Sequence, residues 1–418
     1  MTTSSFQLEV SARGLAPGAG PALLRGLGPF ALCVAVAVVL QVLVKPMMGA
    51  YTAKLALDIG VNVVLAVSLT IVNGFTGQFS MGHAGFMAVG GYTAGVVTYY
   101  GSLKALGSAA MAGGALSGMP IRAPEGLAWF SQGDALFLCA LVVGGLVSAL
   151  LGFLVGLPSL RLRGDYLAIV TLGFGEIVRV MITQTGPVLE TARLSIPDHP
   201  LSGQVVVNLA QGGSRAAEYV GAGEVPWGSA VAGVGGALGF TGLPTYTSLF
   251  WVYLFACVTL LTAYRLKQGT FGRAFLSIRE DEIASEAMGV NTTRYKVWAF
   301  VISAFFAGVA GGLFAHTLGV GLSPQAAGFQ KSFDIIIMVV LGGLGSISGA
   351  TIAAVVVTLL PEYLRPVAEY RMVIFALSLI LMMIFRPQGL LGVREVWDAS
   401  LWRGVRGLVV RGKGARHG

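Results

Sequence analysis

Long apolar runs recur along the chain and alternate with shorter polar segments. A helix that crosses a membrane needs about 20 mostly apolar residues, or fewer where the helix is short or broken. By this criterion the pattern predicts spans over 29–44, 55–72, 86–100, 136–157, 166–183, 249–264, 297–318 and 372–385, with a further apolar block over 333–360. The sequence therefore predicts an all-α integral membrane protein, built as a polytopic helical bundle.

Composition supports this prediction. Hydrophobic residues make up 55% of the 418 residues and charged residues only 11%, which leaves too little polar surface to coat a soluble protein of this length. Cys33, Cys139 and Cys257 each stand singly within an apolar run and are interpreted as small hydrophobic side chains. The first apolar run is interpreted as an uncleaved first helix rather than a signal peptide, because many spans follow it.

Positive charges indicate the orientation and the number of spans. The net charge is +8, and cytoplasmic loops carry an excess of Lys and Arg. With a cytoplasmic N-terminus, the basic loop over about 265–296 lies in the cytoplasm and the segment over about 184–248 lies outside. A single helix over 333–360 would place the basic tail outside, whereas a break at 341–350 returns it to the cytoplasm. The predicted total is therefore about ten spans, with both termini cytoplasmic.

Three regions are expected: a basic cytoplasmic extension (1–28), a transmembrane domain (29–392) and a basic cytoplasmic tail (393–418). The tail contains "GLVVRGKG" over 407–414, which resembles a phosphate-binding loop, but Gly414 replaces the Ser or Thr that holds Mg²⁺. No cofactor, metal ion or catalytic residue is therefore predicted for this chain, and any ATP is expected on partner subunits.

Two glycine-rich segments interrupt the apolar runs: "GFTGQFSMGHAG" over 74–85 and "LGGLGSISGA" over 341–350. In a membrane, non-helical backbone persists only where protein or a water-filled cavity satisfies its polar groups. The interruptions are thus either pathway-lining or gating bends, or tight turns at the cytoplasmic face. His83 is interpreted as a structural histidine in preference to a proton carrier. The candidate pathway residues here are Gly74, Gly77, Gln78, Gly82, His83, Gly342, Gly343 and Gly345.

Glu176 and Arg179 add a charged pair inside a predicted span. Glu176 lies about 16 Å beyond the start of that span at Asp165, near the middle of the membrane. The spacing of three residues lets the two side chains neutralise each other on one helix face, and ionisable groups at that depth are paired or functional. A structural pair and a direct role along a substrate path are both open.

The loop over 269–296 predicts a short amphipathic helix. Apolar side chains recur at helical spacing and Gly289 supplies a terminator. The acidic centre, Glu280 to Glu282, argues against binding to anionic lipid and favours a protein partner. The apolar positions are Phe275, Ile278, Ala284, Ala287 and Met288.

The ordered motifs of the chain resemble the LivM-type permease subunits of ABC importers for branched-chain amino acids, in the hydrophobic amino acid uptake family. The resemblance covers about 55–392 and is carried by "TGQFSMGHAGF", "LPSLRLRGDYLAIVTLGFGEIVR", "GRAFLSIREDEIASEAMGV", "AGVAGGLFA", "VVLGGLGS" and "RPQGLL". It implies a bacterial inner-membrane transport subunit, not an enzyme. The partners implied are a second homologous permease subunit in a heterodimer, two cytoplasmic ATPase subunits and an extracytoplasmic substrate-binding protein, with no nucleic acid.

In this family the loop over 265–296 is the coupling loop, whose helix inserts into a groove of an ATPase. The residues implied in that contact are Arg273, Arg279, Glu280, Asp281, Glu282, Ala284, Glu286 and Gly289. The chain departs from the family pattern in two places: Ile283 stands where importers carry Glu, and "TGPVLETARLSIP" replaces the usual turn over 185–197.

Two alternatives remain open at this point. A permease for urea or short amides would have a similar membrane subunit. A secondary transporter or channel would share the broken helices and the central ion pair, but it would not need a charged, capped helix presented between spans.

Overall fold

The computed structural model describes residues 19–106, 114–117, 129–159, 165–188, 190–192, 205–207, 219–221, 227–317, 321–365, 369–386, 388–392 and 395–396. Thirteen α-helices lie in these ranges: α1 (Ala19–Val39), α2 (Ala50–Leu69), α3 (His83–Leu106), α4 (Gln132–Ser159), α5 (Asp165–Thr183), α6 (Trp227–Ala232), α7 (Leu249–Gln268), α8 (Thr270–Glu280), α9 (Glu282–Ala287), α10 (Thr292–Ala315), α11 (Phe329–Gly342), α12 (Ile347–Tyr363) and α13 (Arg371–Phe385). The expected helical class is confirmed.

Six of these helices are long and apolar enough to cross a membrane, namely α1, α2, α4, α5, α7 and α10 with their helical extensions. The chain is thus a multi-pass membrane protein. The expected break at 341–350 is confirmed, because α11 ends at Gly342 and α12 begins at Ile347. With 14 and 17 residues, these two helices are short, so the total of about ten spans stays a prediction.

A small antiparallel sheet corrects the all-α prediction. Strands β1 (Glu190–Ala192), β2 (Val205–Val207) and β3 (Tyr219–Gly221) pair in that order, with Glu190 opposite Val207 and Val205 opposite Gly221. Three β-branched residues form β2, which favours an extended chain. Strands of three residues are too short to produce a recognisable alternation of apolar and polar positions.

Helix α10 lies at the centre of the bundle, where it packs closely against α3 and α4. The close approach depends on glycine: a Cβ atom at Gly91 of α3 would lie 2.9 Å from the Gly311 carbonyl oxygen, and one at Gly312 would lie 2.6 Å from Leu141 Cδ2. Small residues at such crossings let helix backbones approach each other. Most of α10 is consequently buried.

Two of the three cysteines meet in the fold. The Cys257 side chain in α7 lies close to the Cys33 side chain in α1, although the sequence shows each alone in its apolar run. Cys139 is exposed. Most of the basic N-terminal extension, nearly all of the tail including 407–414, and residues 193–197 of the atypical external segment lie outside the described residues.

Candidate functional site

The first glycine interruption turns back into the bundle. Helix α2 continues through a π-helical turn to Phe75, a non-helical segment follows over 76–82, and α3 begins at His83. His83 Nε2 lies 2.8 Å from Ser68 Oγ. Because Ser68 precedes Phe75 by seven residues, this contact lies about 10 Å along α2 from its end. The segment therefore returns along the side of α2, and His83 is buried there in contact with Ser68.

Neighbouring side chains satisfy the backbone of this segment. Asn73 Oδ1 accepts from the Ser80 amide at 3.2 Å, and the Met81 amide donates to Thr171 Oγ1 of α5 at 3.0 Å. The Gln78 amide donates to the Val72 carbonyl at 3.3 Å. These bonds meet the requirement for non-helical backbone inside a membrane protein. Gly82 packs directly on the Thr171 carbonyl, where a Cβ atom would overlap it.

The second interruption is a four-residue connection between α11 and α12. Gly343 and Gly345 have φ of +109° and +94°, in the region that glycine adopts far more readily than other residues. Ser346 caps α12, with its Oγ accepting from the Gly349 amide at 3.0 Å. Gly342 packs against α12, where a Cβ atom would lie 2.5 Å from the Ala350 nitrogen.

Both interruptions meet at one arginine of α8. Arg279 Nη1 donates to the Gly74 carbonyl at 3.0 Å. A Cβ atom at Gly345 would lie 2.8 Å from Arg279 Nη1, one at Gly77 would lie 2.9 Å from Arg279 Cγ, and one at Gly74 would lie 2.7 Å from the Gly345 nitrogen. We call Gly74, Gly77, Arg279 and Gly345 the glycine junction. The sequence predicted its parts separately but not that they touch.

The C-terminal segment lies beside this junction and contacts it through Glu395 and Lys267. Glu395 is buried, and its carboxylate accepts from the amides of Ile347 and Ser348 at 3.0 and 2.9 Å and from Lys267 Nζ at 2.5 Å. Lys267 Nζ also donates to the Gly345 carbonyl at 2.7 Å. Burial alone would raise the pKa of Glu395, but hydrogen bonds from Lys267, Ser348 and the Ile347 amide hold that pKa below its ordinary value.

Sequence reasoning missed Glu395. The only signal available was an acidic residue soon after the last apolar run. Residues of the "RPQGLLG" segment also pack here: the Leu390 amide donates to the Leu341 carbonyl at 2.7 Å, and a Cβ atom at Gly389 would lie 2.6 Å from Gly343 Cα.

The loop that the sequence predicts as one amphipathic helix contains two, which is a correction. The chain breaks at Asp281, an extended residue with φ −155°, because its carboxylate caps α9 by accepting from the Ala284 amide at 3.0 Å. Gly289, with φ +86°, follows the end of α9. The predicted terminator is therefore in place.

Acidic side chains fix α9 onto the start of α10. Glu282 pairs with the buried Lys296 at 2.6 Å, and Glu286 Oε1 accepts from Thr292 Oγ1 at 2.5 Å. Glu280 pairs with Arg279 at 3.5 Å, and Arg273 is exposed. Glu282, one of the three residues of the acidic centre, therefore faces α10 and not the outer surface of the loop.

The apolar positions of the loop divide into two groups. Phe275 and Ile278 of α8 are buried in the bundle. On α9, Ala284 and Ala287 are exposed, as are Ile283 and Met288, at 66% and 85%. An apolar surface therefore remains uncovered on α9.

The charged pair of α5 caps another helix. Glu176 and Arg179 form the expected ion pair at 2.7 Å, and Glu176 Oε1 also accepts from the Phe329 amide at 3.1 Å. Phe329 is the first residue of α11, so the carboxylate lies at the positive end of that helix. The pair joins α5 to the start of α11.

A second group of polar side chains joins α2, α11 and α12, and the sequence analysis did not identify it. Lys331 Nζ donates to Asn62 Oδ1 at 2.8 Å, and Asn62 Nδ2 donates to Thr358 Oγ1 at 2.9 Å. Lys331 also lies within electrostatic range of Asp58 and Asp334. The sequence signal that could have identified this group is the presence of ionisable residues, such as Asp58 and Asp334, within apolar runs.

One groove lies apart from the polar clusters described above. A groove of about 670 Å³ between α4 and α10 is lined mainly by apolar side chains such as Leu150, Phe153 and Trp298. Within the described part of the chain, no group of three or more His, Cys, Asp or Glu residues is placed to hold a metal ion.

Residues 51–385 match the family model described as branched-chain amino acid transport system, permease component. The chain is 35% identical over 337 residues to the high-affinity branched-chain amino acid transport system permease protein LivM of Salmonella typhimurium, covering 79% of this chain and 68% of the relative. It is 34% identical to the LivM protein of Escherichia coli over 339 residues, with the same coverage.

A shorter similarity extends to the LivH permease protein of Escherichia coli, 34% identical over 158 residues, 37% of this chain and 50% of the relative. No solved structure matches the chain.

Proposed function

Because the chain belongs to the family of branched-chain amino acid transport permease components, we propose that it is a membrane-spanning subunit of an ATP-driven importer of these amino acids. It pairs with a second, LivH-like permease, two cytoplasmic ATPase subunits and an extracytoplasmic binding protein. ATP binds to the ATPase subunits, and this chain has no ATPase site. The chain crosses the bacterial inner membrane about ten times, with both termini in the cytoplasm.

The observation that carries this proposal is the glycine junction. Arg279 belongs to α8, in the loop that faces the ATPase, and its guanidinium contacts both interruptions of the bundle. At Gly74 and Gly345 there are no side chains between the arginine and the backbone. A displacement of α8 therefore moves the ends of α2 and α11 directly, because packed groups transmit a shift when no flexible side chain absorbs it.

Helix α9 supplies the surface for the ATPase. Glu282 and Glu286 hold it against α10, while Ile283, Ala284 and Met288 face outward. Exposed apolar side chains on a polar loop mark a surface that a protein partner covers. Ile283 at the family's Glu position enlarges the apolar part of this surface.

Branched-chain amino acids are favoured over urea or short amides, because the two relatives that align with 79% of the chain are both named as branched-chain amino acid permeases. A secondary transporter or channel is disfavoured by the contact between the loop and the interruptions, since neither class of protein needs a device that links an ATPase to the bundle.

Reconstitution in proteoliposomes tests the proposal. With the second permease, both ATPases and leucine-loaded binding protein, we expect ATP-dependent accumulation of radiolabelled leucine, whereas this chain alone gives no leucine flux. Transport of urea instead of leucine would support the alternative cargo. Leak or accumulation of leucine through the isolated chain would contradict the importer and support a channel.

A further inference from the structure

Four polar side chains on α2 and α11 form a cluster, which we call the central charge cluster: Asp58 and Asn62 of α2 with Lys331 and Asp334 of α11. Lys331 Nζ donates to Asn62 Oδ1 at 2.8 Å and lies within electrostatic range of both aspartates. The exposed Lys54, one turn before Asp58 on α2, also lies within electrostatic range of Asp58. The cluster thus brings the Lys331 ammonium group and two carboxylates together on neighbouring helices, with a second ammonium group beside them.

The cluster lies at the depth of the membrane centre. Asn62 precedes Gly74 by 12 residues and Lys331 precedes Gly342 by 11, which at 1.5 Å per residue places the cluster about 17 Å from the glycine junction. The hydrocarbon layer is about 30 Å thick. With the junction at the cytoplasmic face, as the proposed function has it, Asn62 and Lys331 lie close to the middle of this layer. By the same measure Asp334 lies about 12 Å and Asp58 about 24 Å from the junction, on either side of them.

The two carboxylates of the cluster have no direct partner among the described residues. In the described part of the chain, Asp58 and Asp334 accept no hydrogen bond and form no ion pair within 4 Å. Both aspartates and Lys331 are partly exposed rather than buried. Ionisable groups at this depth face a water-filled cavity or another subunit, because exposure to lipid is too unfavourable.

We propose that the central charge cluster binds the backbone of the amino acid in transit. Lys331 pairs with the α-carboxylate, and Asp58 and Asp334 pair with the α-ammonium, which supplies the direct partner that these two carboxylates lack. This inference rests on the proposed function and assigns its substrate contact. Since every α-amino acid carries these two groups, the site recognises the zwitterion and leaves selection of the side chain to the binding protein.

Replacing Lys331 tests this assignment in the reconstituted complex. We expect Lys331→Gln to lower uptake of radiolabelled leucine about tenfold or more, which corresponds to about 1.4 kcal/mol. ATP hydrolysis stimulated by leucine-loaded binding protein and co-purification of the second permease should stay near wild type. Lys331→Arg keeps the charge and should retain a substantial part of the uptake.

Lys45→Gln is the matched control, because Lys45 lies outside the cluster, in the short helical turn 45–47 that precedes α2, and it should transport normally. Normal leucine uptake by Lys331→Gln would overturn the assignment while leaving the proposed function intact. A parallel loss of uptake and of the second permease would show that the cluster holds the subunits together instead. Failure of the wild-type complex to transport leucine would reject the proposed function and the assignment with it.

Discussion

At the scale of single residues, glycine decides the geometry of the glycine junction. Gly345 has a φ of +94°, and a Cβ atom added there would lie 2.8 Å from Arg279 Nη1. A non-glycine residue there is strained in its backbone and also displaces the guanidinium. The two effects are separable, because other glycines of positive φ have free space around them.

The first prediction concerns Gly345→Ala. The left-handed conformation costs an ordinary residue about 1–2 kcal/mol, and the new methyl group pushes Arg279 away from Gly74. We expect ATP hydrolysis to lose its stimulation by leucine-loaded binding protein, while the amount of assembled complex stays near normal. The measurement is ATPase activity of the purified complex with and without binding protein.

Gly242→Ala provides the control, since Gly242 has φ +76° but a Cβ atom there would meet only Tyr99 at 3.6 Å. Arg279→Gln removes the contact without backbone strain and should also uncouple hydrolysis. The junction is only structural if two results are obtained together. Gly345→Ala and Gly242→Ala would both lower expression without changing the stimulation of ATP hydrolysis, and Arg279→Gln would keep that stimulation.

The second prediction concerns Glu395. Its pKa is lower in the folded chain than its ordinary value, so the ionised carboxylate stabilises the fold above about pH 4.5 and this contribution is lost as the pH falls through the folded-state pKa. We expect Glu395→Gln to be less stable by on the order of 2 kcal/mol at pH 7. The difference from wild type should shrink as the pH falls below 4.5.

Thermal unfolding of the purified protein at several pH values measures this difference. Glu362→Gln is the control, because Glu362 forms an exposed pair with Arg365 at 3.4 Å and such pairs contribute little. A deficit for Glu395→Gln that is the same at every pH would refute the electrostatic explanation.

At the scale of secondary-structure elements, the break at Asp281 lets α8 and α9 present their apolar side chains in different directions. Asp281 ends one helix and caps the next. As a result, α8 packs Phe275 and Ile278 into the bundle, and α9 presents its apolar side chains outward. One continuous helix could not point its two halves in independent directions.

The third prediction concerns Ala284→Arg in α9. Ala284 is exposed in this chain, so the substitution leaves the chain's own packing intact but places a long charged side chain in the proposed ATPase contact. Overpacking and an unpaired charge at an interface together cost several kcal/mol. We expect co-purification of the ATPase subunits to fall strongly while the yield of the folded chain is unchanged.

Ala232→Arg, at an exposed alanine of α6, controls for the new charge and should keep the ATPases bound. Unchanged co-purification together with normal leucine uptake by Ala284→Arg would remove α9 from the interface.

At the scale of the whole molecule, α2 and α11 connect the proposed coupling site to the proposed substrate site. Each helix carries one part of the glycine junction at its end and one part of the central charge cluster about 17 Å away. A helix is stiff over that length, so movement of the junction reaches the cluster. The proposed importer needs this link, because ATP is hydrolysed outside the membrane and the amino acid moves within it.

The sequence by itself determined the membrane class, most helix positions, the break between α11 and α12, the ion pair of Glu176 and Arg179, and the family. Each depends on local information: apolar runs, glycine at turns, residues three positions apart, and ordered motifs. Local patterns also located the helical loop over 265–296, although they missed its break at Asp281, where a capping side chain competes with helix continuation.

Only the tertiary structure decided which of these parts touch. Arg279 lies 205 residues from Gly74 along the chain, and Lys331 lies 269 residues from Asn62, so no pattern within a short window relates them. The same holds for Glu395, which reaches Lys267 across 128 residues. Such contacts arise because helices far apart in sequence must bury their polar groups against one another, and packing alone selects the partners.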